Sequence, residues 1–527
     1  MLKLLLKMNT SKKIFLEDFT VIIIICLSLF SIFHFKEFLV YRDFLIIWDG
    51  IQEIRGGRSF YENIIIPIGA FTFHFTYVFL EIFGNSWYVL QISQIFLNCI
   101  MLITAYLILR KHENNKYVTY IALIIFAFIY LILLNHPWYN NLAALLTLLV
   151  FYFIDFKSKT IIILAGVMNG LLFITKYDFG AYTFMAATIY LFINSNKSFV
   201  GFFKKFLLFT SATCLIISIE YMFYSKEMID QILKLVFLNA DSRSYRFFES
   251  INFLNICKFY LSLWCLFYGW GGNKIFLLAG LIMLVSLLSD LTGGIFYTHY
   301  YYLFILPSML NQIRLKHNLR KHFLINSLLV IIIILPSMRL AFFSYENLLR
   351  GYADQEYFNY RDLNTEIEII DLGECFPELK RLLGPANICS LKSRLDRLAK
   401  LNKQIKILNL TELGFIDNQK YFEKDSPFPL WLKNGVTLSK SLETELISNV
   451  QSNYYDIVLI ESIDESLSSY AFRDYLKKIA KNNPALELVA SDIHSSTCLK
   501  RQSLRNCNIH VYYSKGLISL LDEKVLQ

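Results

Sequence analysis

Charge is what this chain has least of: 18% of its 527 residues are Asp, Glu, Lys or Arg, 55% are hydrophobic, and the mean hydropathy is +0.45. A soluble protein of this length keeps a charged shell around its core, and so thin a shell excludes that arrangement for the whole chain. A basic domain is lacking too. Lys and Arg number 28 against 18 acids before Arg350, and 23 against 24 from Arg350 on. The formal +9 therefore belongs to the rims of apolar segments, which excludes nucleic acid as a partner. The first apolar run, "FTVIIIICLSLFSIF", follows "KLLLKMNTSKK" but has no small-x-small cleavage site after it, so it reads as an uncleaved span, not a secretion signal. No His-Glu-x-x-His, Asp-x-Asp or paired-cysteine signature marks a metal site. Internal repeats and long low-complexity linkers are lacking as well.

What is there is apolar and periodic. Runs of helix-spanning length occupy roughly 16–35, 88–109, 118–134, 139–155, 160–175, 180–193, 206–223, 255–271, 275–291, 298–312 and 322–340. The expectation is a polytopic all-α membrane part, residues 1–345, with about eleven spans. With a cytosolic N-terminus, alternate short loops carry 17 of the 28 basic residues, among them Arg110, Lys111, Lys157, Lys204, Lys205, Lys274 and Lys321. The positive-inside rule then sets the orientation. It requires the segment 68–83, with Thr72, His74, Thr76 and Glu81 in it, to lie at the interface without crossing. The acids sort to the other side. Asp43, Asp49 and Glu62 fall in the first outer loop, and Asp178, Glu220 and Asp290 near outer span ends. Carboxylates at that depth usually face a cavity or a partner, although ordinary loop solvation also accounts for Asp43 and Asp178.

The first outer loop reads "WDGIQEIRGGRSFYENIIIPIGAFTFHFTYVFLEIFG" from Trp48 to Gly84. It resembles the corresponding loop of the GT-C superfamily of polytopic glycosyltransferases, which includes protein O-mannosyltransferases, aminoarabinose transferases and many bacterial enzymes. Asp49 matches that family's first acid, Gly57 its turn, Tyr61 with Glu62 its Tyr-x-Asp position, Pro67 and Gly69 its proline element, and Phe83-Gly84 the closure. Glu62 stands where the family has Asp and sits directly beside the tyrosine, and the lysine of the aminoarabinose branch is missing. "HPWYNNLAALLTLL" (136–149) and "GVMNGLLFITKYDFGAY" (166–182) resemble further family segments. The resemblance covers roughly 15–345.

It implies a GT-C-like fold and transfer of a sugar from a polyprenyl-phosphate donor, held among membrane lipids, to a glycan, lipid or protein acceptor outside a bacterial cytoplasmic membrane. A carboxylate would take the acceptor proton: Asp49 is the expected base and Glu62 the second acid. As a plain structural alternative, Asp49 just before "GIQEI" is a helix N-cap. The leaving phosphate needs cations. Arg58, and Arg243 with Arg246 in "NADSRSYRFFE", offer planar donor forks, while basic residues beside a membrane also bind anionic headgroups. His136, Lys176, His299 and Tyr300 are the candidates for acceptor or sugar contact; snorkelling explains Lys176 and the aromatic belt Tyr300 without a ligand. No cofactor is required on this reading, although Asp49 with Glu62 could hold a divalent cation weakly.

Residues 350–527 form the expected extracytoplasmic part. "QIKILNL" and "YYDIVLIE" are buried-strand patterns and "SYAFRDYLKKIAKNNPALELVASD" a helix followed by a strand, which together predict a soluble α/β domain. No Gly-rich phosphate loop follows a strand. Cys375, Cys389, Cys498 and Cys507 are even in number, compatible with bridges 375–389 and 498–507 or with free thiols. "SPFPLWLKNGVTL" (426–438) suits a contact between the two parts. A multi-span transporter, or a flippase or ligase of lipid-linked glycans, would share the spans and buried acids. It would not need the long mixed first loop.

Overall fold

The computed structural model describes residues 12–32, 36–38, 42–60, 62, 64–66, 68–131, 134, 137–195, 198–234, 253–293, 299–316, 352–353, 367–401, 403–411, 413–417, 422–424, 428–429, 438–461, 471–494 and 508–525. The helices up to residue 316 are α1 Lys12–Ile32, α2 Arg42–Arg55, α3 Phe71–Phe83, α4 Trp87–His112, α5 Lys116–Ile125, α6 Tyr139–Ile154, α7 Lys159–Phe173, α8 Tyr177–Ile193, α9 Phe199–Tyr221, α10 Phe253–Trp270, α11 Lys274–Gly293 and α12 Leu306–Lys316. A π-helical turn, Phe126–Tyr130, prolongs α5. One apolar core runs through α4–α8, α11 and the Tyr300–Leu306 segment.

Among the described residues, three helices are long and apolar enough to cross a membrane: Trp87–His112, Phe199–Tyr221 and Lys274–Thr292. This corrects the expected eleven spans of a GT-C-like fold. The other described apolar runs do become helices, but Lys116–Tyr130, Tyr139–Ile154, Lys159–Phe173 and Leu303–Ile313 are shorter. At about 1.5 Å per residue, such pieces reach roughly 25 Å or less, short of a hydrocarbon core of about 30 Å. Hydropathy counts apolar residues; helix length is decided by where the backbone breaks. Asp155 and Ser158 cap the break after α6, and the chain turns again at Thr175-Lys176. The run 322–340 lies outside the described residues. What stands is a multi-pass membrane protein with a separate α/β domain.

The segment 68–83 is the 13-residue α3. Its N-terminal end is tied to the end of α7, where Gly69 N donates to Thr175 O (3.2 Å). Its far end pairs Glu81 with Arg55 of α2 at 3.2 Å. It runs along the α2 face of the bundle.

The α/β domain is built on a five-stranded sheet ordered β10-β11-β9-β6-β7, where β6 is Ile405–Leu410, β7 Phe422–Glu423, β9 Ile457–Glu461, β10 Leu486–His494 and β11 Asn508–Ser514. β6 runs parallel to β9 and β7, and β11 antiparallel to β9 and β10. The alternating apolar runs of β6 and β9 are buried on both faces: Ile407 and Leu459 on one, Leu408, Val458 and Ile460 on the other. Helices α14 Lys440–Gln451 and α15 Ala471–Asn482 cover the second face, and α13 Asn387–Leu398 and α16 Lys515–Val525 the first. Cys375 and Cys389 are disulfide-bonded; Cys498 and Cys507 lie outside the described residues.

The first loop is stitched into this domain. β1 Lys36–Phe38 pairs in parallel with β3 Tyr352–Ala353 and β5 Leu382–Pro385, in a sheet completed by β4 Ile369–Asp371. β2 Ile64–Ile65 pairs with β8 Phe428–Pro429, so the "SPFP" stretch is a backbone contact between the two parts. Side chains agree: Leu45, Trp48, Ile51, Phe60 and Trp87 share one buried cluster with Leu391, Ile405, Phe415 and Leu459.

Gly166 and Gly170 of α7 let α9 approach closely. A Cβ on Gly170 would sit 2.6 Å from Ile216 Cβ and 2.9 Å from Thr213 O, as small residues at i and i+4 allow in membrane helices. Gly170→Ile is expected to cost about 1–3 kcal/mol through overpacking, read as a lower unfolding midpoint in detergent. In the α/β domain, burial and then the nearby Lys477 ammonium press the His510 pKa down to about 4. The unfolded chain takes that proton near the ordinary value of about 6.5. The stabilisation is therefore present above pH about 6.5 and is lost as pH falls towards 4. His510→Phe should flatten that part of the midpoint-against-pH curve; an unchanged slope would assign it to other groups.

Candidate functional site

Everything at the candidate site depends on how α2 is held and where it ends. Leu45, Ile46, Ile47, Trp48 and Ile51 are all buried, and Trp48 meets Trp87 edge to face at 5.9 Å. With the apolar positions fixed inward, Asp49 and Glu53, four apart, share one helix face, and that face lies under the α/β domain. Because α2 begins at Arg42, Asp49 is in its interior, and the N-cap alternative does not apply. The helix ends at Gly57, whose φ of 83° is left-handed and suits glycine. Arg58 N then donates back to Glu53 O (3.1 Å), closing a Schellman-type turn. That turn returns the Arg58 side chain to Glu53, with Nη1 2.9 Å from Oε2.

Asp49 is 1% exposed. The 3-10 turn Gly414–Asp417, which follows β6, lies directly on it: a Cβ at Gly414 would come within 2.6 Å of Asp49 Cγ. Only a glycine lets the backbone approach a carboxylate so closely. Next to it, Lys424 Nζ is ion-paired to Glu53 Oε1 and lies 2.8 Å from Asp417 Oδ1. Burial pushes the Lys424 pKa down, but Asp417 and Glu53 outweigh it and hold the pKa above the ordinary lysine value. Asp49, Glu53 and Asp417 are thus gathered with Lys424 and Arg58 where the two parts of the chain meet.

Beside this cluster opens a cavity of about 640 Å³. Arg58, Ser59, Glu62 and His74 line one side, and Glu220 with Tyr224 the other. Glu62 is exposed and accepts from Ser59 Oγ at 2.5 Å. Tyr224 donates its hydroxyl to Glu220; burial and then Glu220 push its pKa well up. Burial lowers the His74 pKa, opposed by Glu220, which favours the neutral ring. Phe223, on the rim, is 80% exposed at the C-terminal end of the spanning helix α9, next to the equally exposed Met222. The cavity therefore opens beside exposed apolar side chains at the end of a helix long and apolar enough to cross a membrane.

The structure brings Arg58 and Glu62 together on this cavity, with Asp49 sealed behind Glu53. The remaining expected residues go elsewhere. Lys176 is buried, with Nζ 2.7 Å from Asn140 Oδ1, 3.8 Å from Asp178 and 4.4 Å from the Phe179 ring centroid. His299 and Tyr300 are core residues. His299 Nδ1 lies 2.7 Å from Asp290 Oδ1, Lys258 pairs with the same carboxylate, and Lys258 Nζ stands 4.8 Å over the Tyr300 ring. His136, Arg243, Arg246, Tyr61 and Pro67 lie outside the described residues. The sequence-based expectation missed Glu53, His74, Tyr224, Gly414, Asp417 and Lys424 as site residues. Only Glu53 had a local signal, its four-residue spacing from Asp49. Among the described residues no group of three or more His, Cys, Asp or Glu is disposed to hold a metal ion, which says nothing about a requirement for one.

No family model matches this chain, and no curated protein matches it. Among solved structures it is similar to the crystal structure of the Archaeoglobus fulgidus oligosaccharyltransferase tethered with an acceptor peptide containing the NVT sequon via a disulfide bond. The TM-score is 0.42 and the identity 11%, over 84% of this chain and 69% of that one. At that level of likeness, no role in that enzyme is transferred to a residue here.

The contact on Asp49 makes its own prediction. Gly414→Ala puts a methyl group into the space of the carboxylate, so the turn or α2 must shift, at a cost of about 1–3 kcal/mol. Limited proteolysis within 411–424 should accelerate while the membrane helices stay protected. Unchanged cleavage would mean that the turn does not rest on Asp49.

Proposed function

We propose that this protein is a membrane glycosyltransferase that moves a sugar from a polyprenyl-phosphate donor to an acceptor on the outer side of a bacterial cytoplasmic membrane. The observation that carries the reading is the cavity at the end of α9, where Arg58 and Glu62 of the GT-C-like first loop stand together beside a lipid-facing rim. A polyprenyl tail belongs in the bilayer and its phosphate at the boundary. Arg58 offers that phosphate a planar donor fork, and Phe60 and Phe223 offer apolar surface to the sugar or the first prenyl units.

Glu62 and Glu220 both line this cavity; Glu220 already accepts from the Tyr224 hydroxyl and Glu62 is the more exposed, so proton acceptance from the acceptor is assigned to Glu62. Asp49 is buried under the Gly414 turn, and would reach an acceptor only after that turn had lifted. Neutral His74 can accept or donate a hydrogen bond to a sugar hydroxyl. Lys176, His299 and Tyr300 have no contact role in this reading.

Orientation is supported by charge. Lys111, His112 and Lys274 converge on Asp155 at 2.6–3.0 Å at the end of the bundle away from the α/β domain. If that basic face is cytosolic, the cavity and the α/β domain are extracytoplasmic, the compartment that suits the Cys375–Cys389 disulfide.

The test uses purified protein, a synthetic polyprenyl-phosphate sugar and an acceptor screen. Glu62→Gln should lower turnover by about 10²–10⁴-fold, the usual worth of a positioned proton acceptor, without moving the unfolding midpoint. Asp49→Asn, sealed from the cavity, should cost less than Glu62→Gln. Near-native turnover in Glu62→Gln with collapse in Asp49→Asn would return the base to Asp49 and require the turn to open.

A further inference from the structure

All residues lining the described cavity come from the first 228, yet the α/β domain reaches it through one chain of charges. Asp417 Oδ1 lies 2.8 Å from Lys424 Nζ; Lys424 is ion-paired to Glu53 Oε1; Glu53 Oε2 accepts from Arg58 Nη1 at 2.9 Å. The two oxygens of Glu53 are divided between a cation of the α/β domain and the arginine of the cavity wall. Lys424 and Glu53 are both less than a tenth exposed, and Arg58 is about one-third exposed, at 30%. The inner end of the chain is buried and its outer end faces the cavity.

We propose that Lys424 is a positioning residue for the donor site: by satisfying Glu53 and Asp417 it leaves the Arg58 guanidinium at the cavity wall, where it meets the donor phosphate. This rests on the reading that Arg58 binds that phosphate. The physical reason is charge balance. Without the Lys424 ammonium, Glu53 and Asp417 lose the cation they share, and Arg58, already paired to Glu53, stands next to them. An uncompensated buried charge is costly enough to reorganise its neighbours. Arg58 is drawn inward, and the cavity loses its fork.

A simple tether between the two parts would behave differently. Removing Asp417 as well would cut one more interdomain contact and make a tether weaker still. For a positioning role the same change removes the charge that pulls Arg58 inward, and so restores the site.

The experiment measures the affinity of the full-length protein in detergent for farnesyl phosphate, with farnesol as the control for tail binding alone. Arg58→Gln and Lys424→Met should each weaken binding at least tenfold. The pair together should be no weaker than Arg58→Gln alone, and Lys424→Met with Asp417→Asn should recover most of the affinity. Lys403→Met, which removes a surface pair with Asp456 in the same domain, should bind like the native protein. Native affinity in Lys424→Met, additive losses with Arg58→Gln, or no recovery with Asp417→Asn would each overturn the proposal while leaving the Arg58 assignment standing. If Arg58→Gln itself binds normally, or the native protein does not prefer farnesyl phosphate to farnesol, the donor reading fails and takes the proposal with it. Should Lys424→Met not fold, Lys424→Gln, which keeps a hydrogen-bond donor at the same place without the charge, carries the same test. At least tenfold weakening there supports the proposal, and native affinity overturns it.

Discussion

Three carboxylates, Asp49, Glu53 and Asp417, meet where α2 runs under the α/β domain, and buried acids in that number persist only when cations are brought to them. Lys424 comes from a strand end some 370 residues later in the chain and Arg58 from a glycine turn just after α2. The local turn is enough to bring Arg58 to Glu53, whereas Lys424 arrives only with the α/β domain. The first loop and the α/β domain are therefore not two folded bodies in chance contact. They complete one another's electrostatics, and they share a single apolar core that includes Trp48, Trp87, Phe415 and Leu459.

The same logic recurs away from the cavity, with a different outcome. Asp155 collects Lys111, His112 and Lys274, and Asp290 collects Lys258 and His299, inside or at the end of the helix bundle. Those groups neutralise one another locally and clamp neighbouring helices. At the cavity the balance is passed outward, from Asp417 to Lys424 to Glu53 to Arg58, and ends on a side chain that a ligand can touch. An acid near the outer end of a span is thus no guide to a site by itself. Asp290 and Glu220 read alike in the sequence, yet Asp290 is locked between Lys258 and His299 while Glu220 holds Tyr224 on the cavity wall.

How far the sequence could be read follows from what each feature depends on. Helix positions were legible because apolar runs and polar knots are local; α4, α6, α7 and α9 begin within a few residues of the runs that announce them, except that α9 starts seven residues early, at Phe199. The strands β6 and β9 were legible for the same reason. The number of spans was not, because runs such as 139–155 and 160–175 were counted as spans although they are already short of the roughly 20 residues a crossing helix needs, and the helices they form, Tyr139–Ile154 and Lys159–Phe173, are no longer than the runs. Arg58 and Glu62 were legible as loop residues, but the burial of Asp49 was not. It is imposed by Gly414, and nothing near Asp49 announces a glycine 365 positions away. Lys424 was invisible for the same reason: a lone lysine before "DSPFP" looks like a solvated surface charge.

Asp49 and Glu62 illustrate the limit of a motif most directly. Both stand in the loop whose order of residues resembles a glycosyltransferase family, and by that resemblance Asp49 is the stronger match. A motif fixes order along the chain, whereas proton transfer needs a lone pair within about 3 Å of the acceptor. That requirement is met by exposure as well as by identity. Asp49 is held under a backbone that leaves no room for a methyl group, and Glu62 stands open beside Arg58 on the cavity wall. On the proposed reading the division between the two acids is set by the Gly414 turn: closed, it keeps Asp49 buried and leaves proton acceptance to Glu62; open, it would expose a second carboxylate and undo the ion pairs that hold Arg58. Catalysis by Asp49 and positioning of Arg58 through Lys424 thus draw on opposite states of one contact.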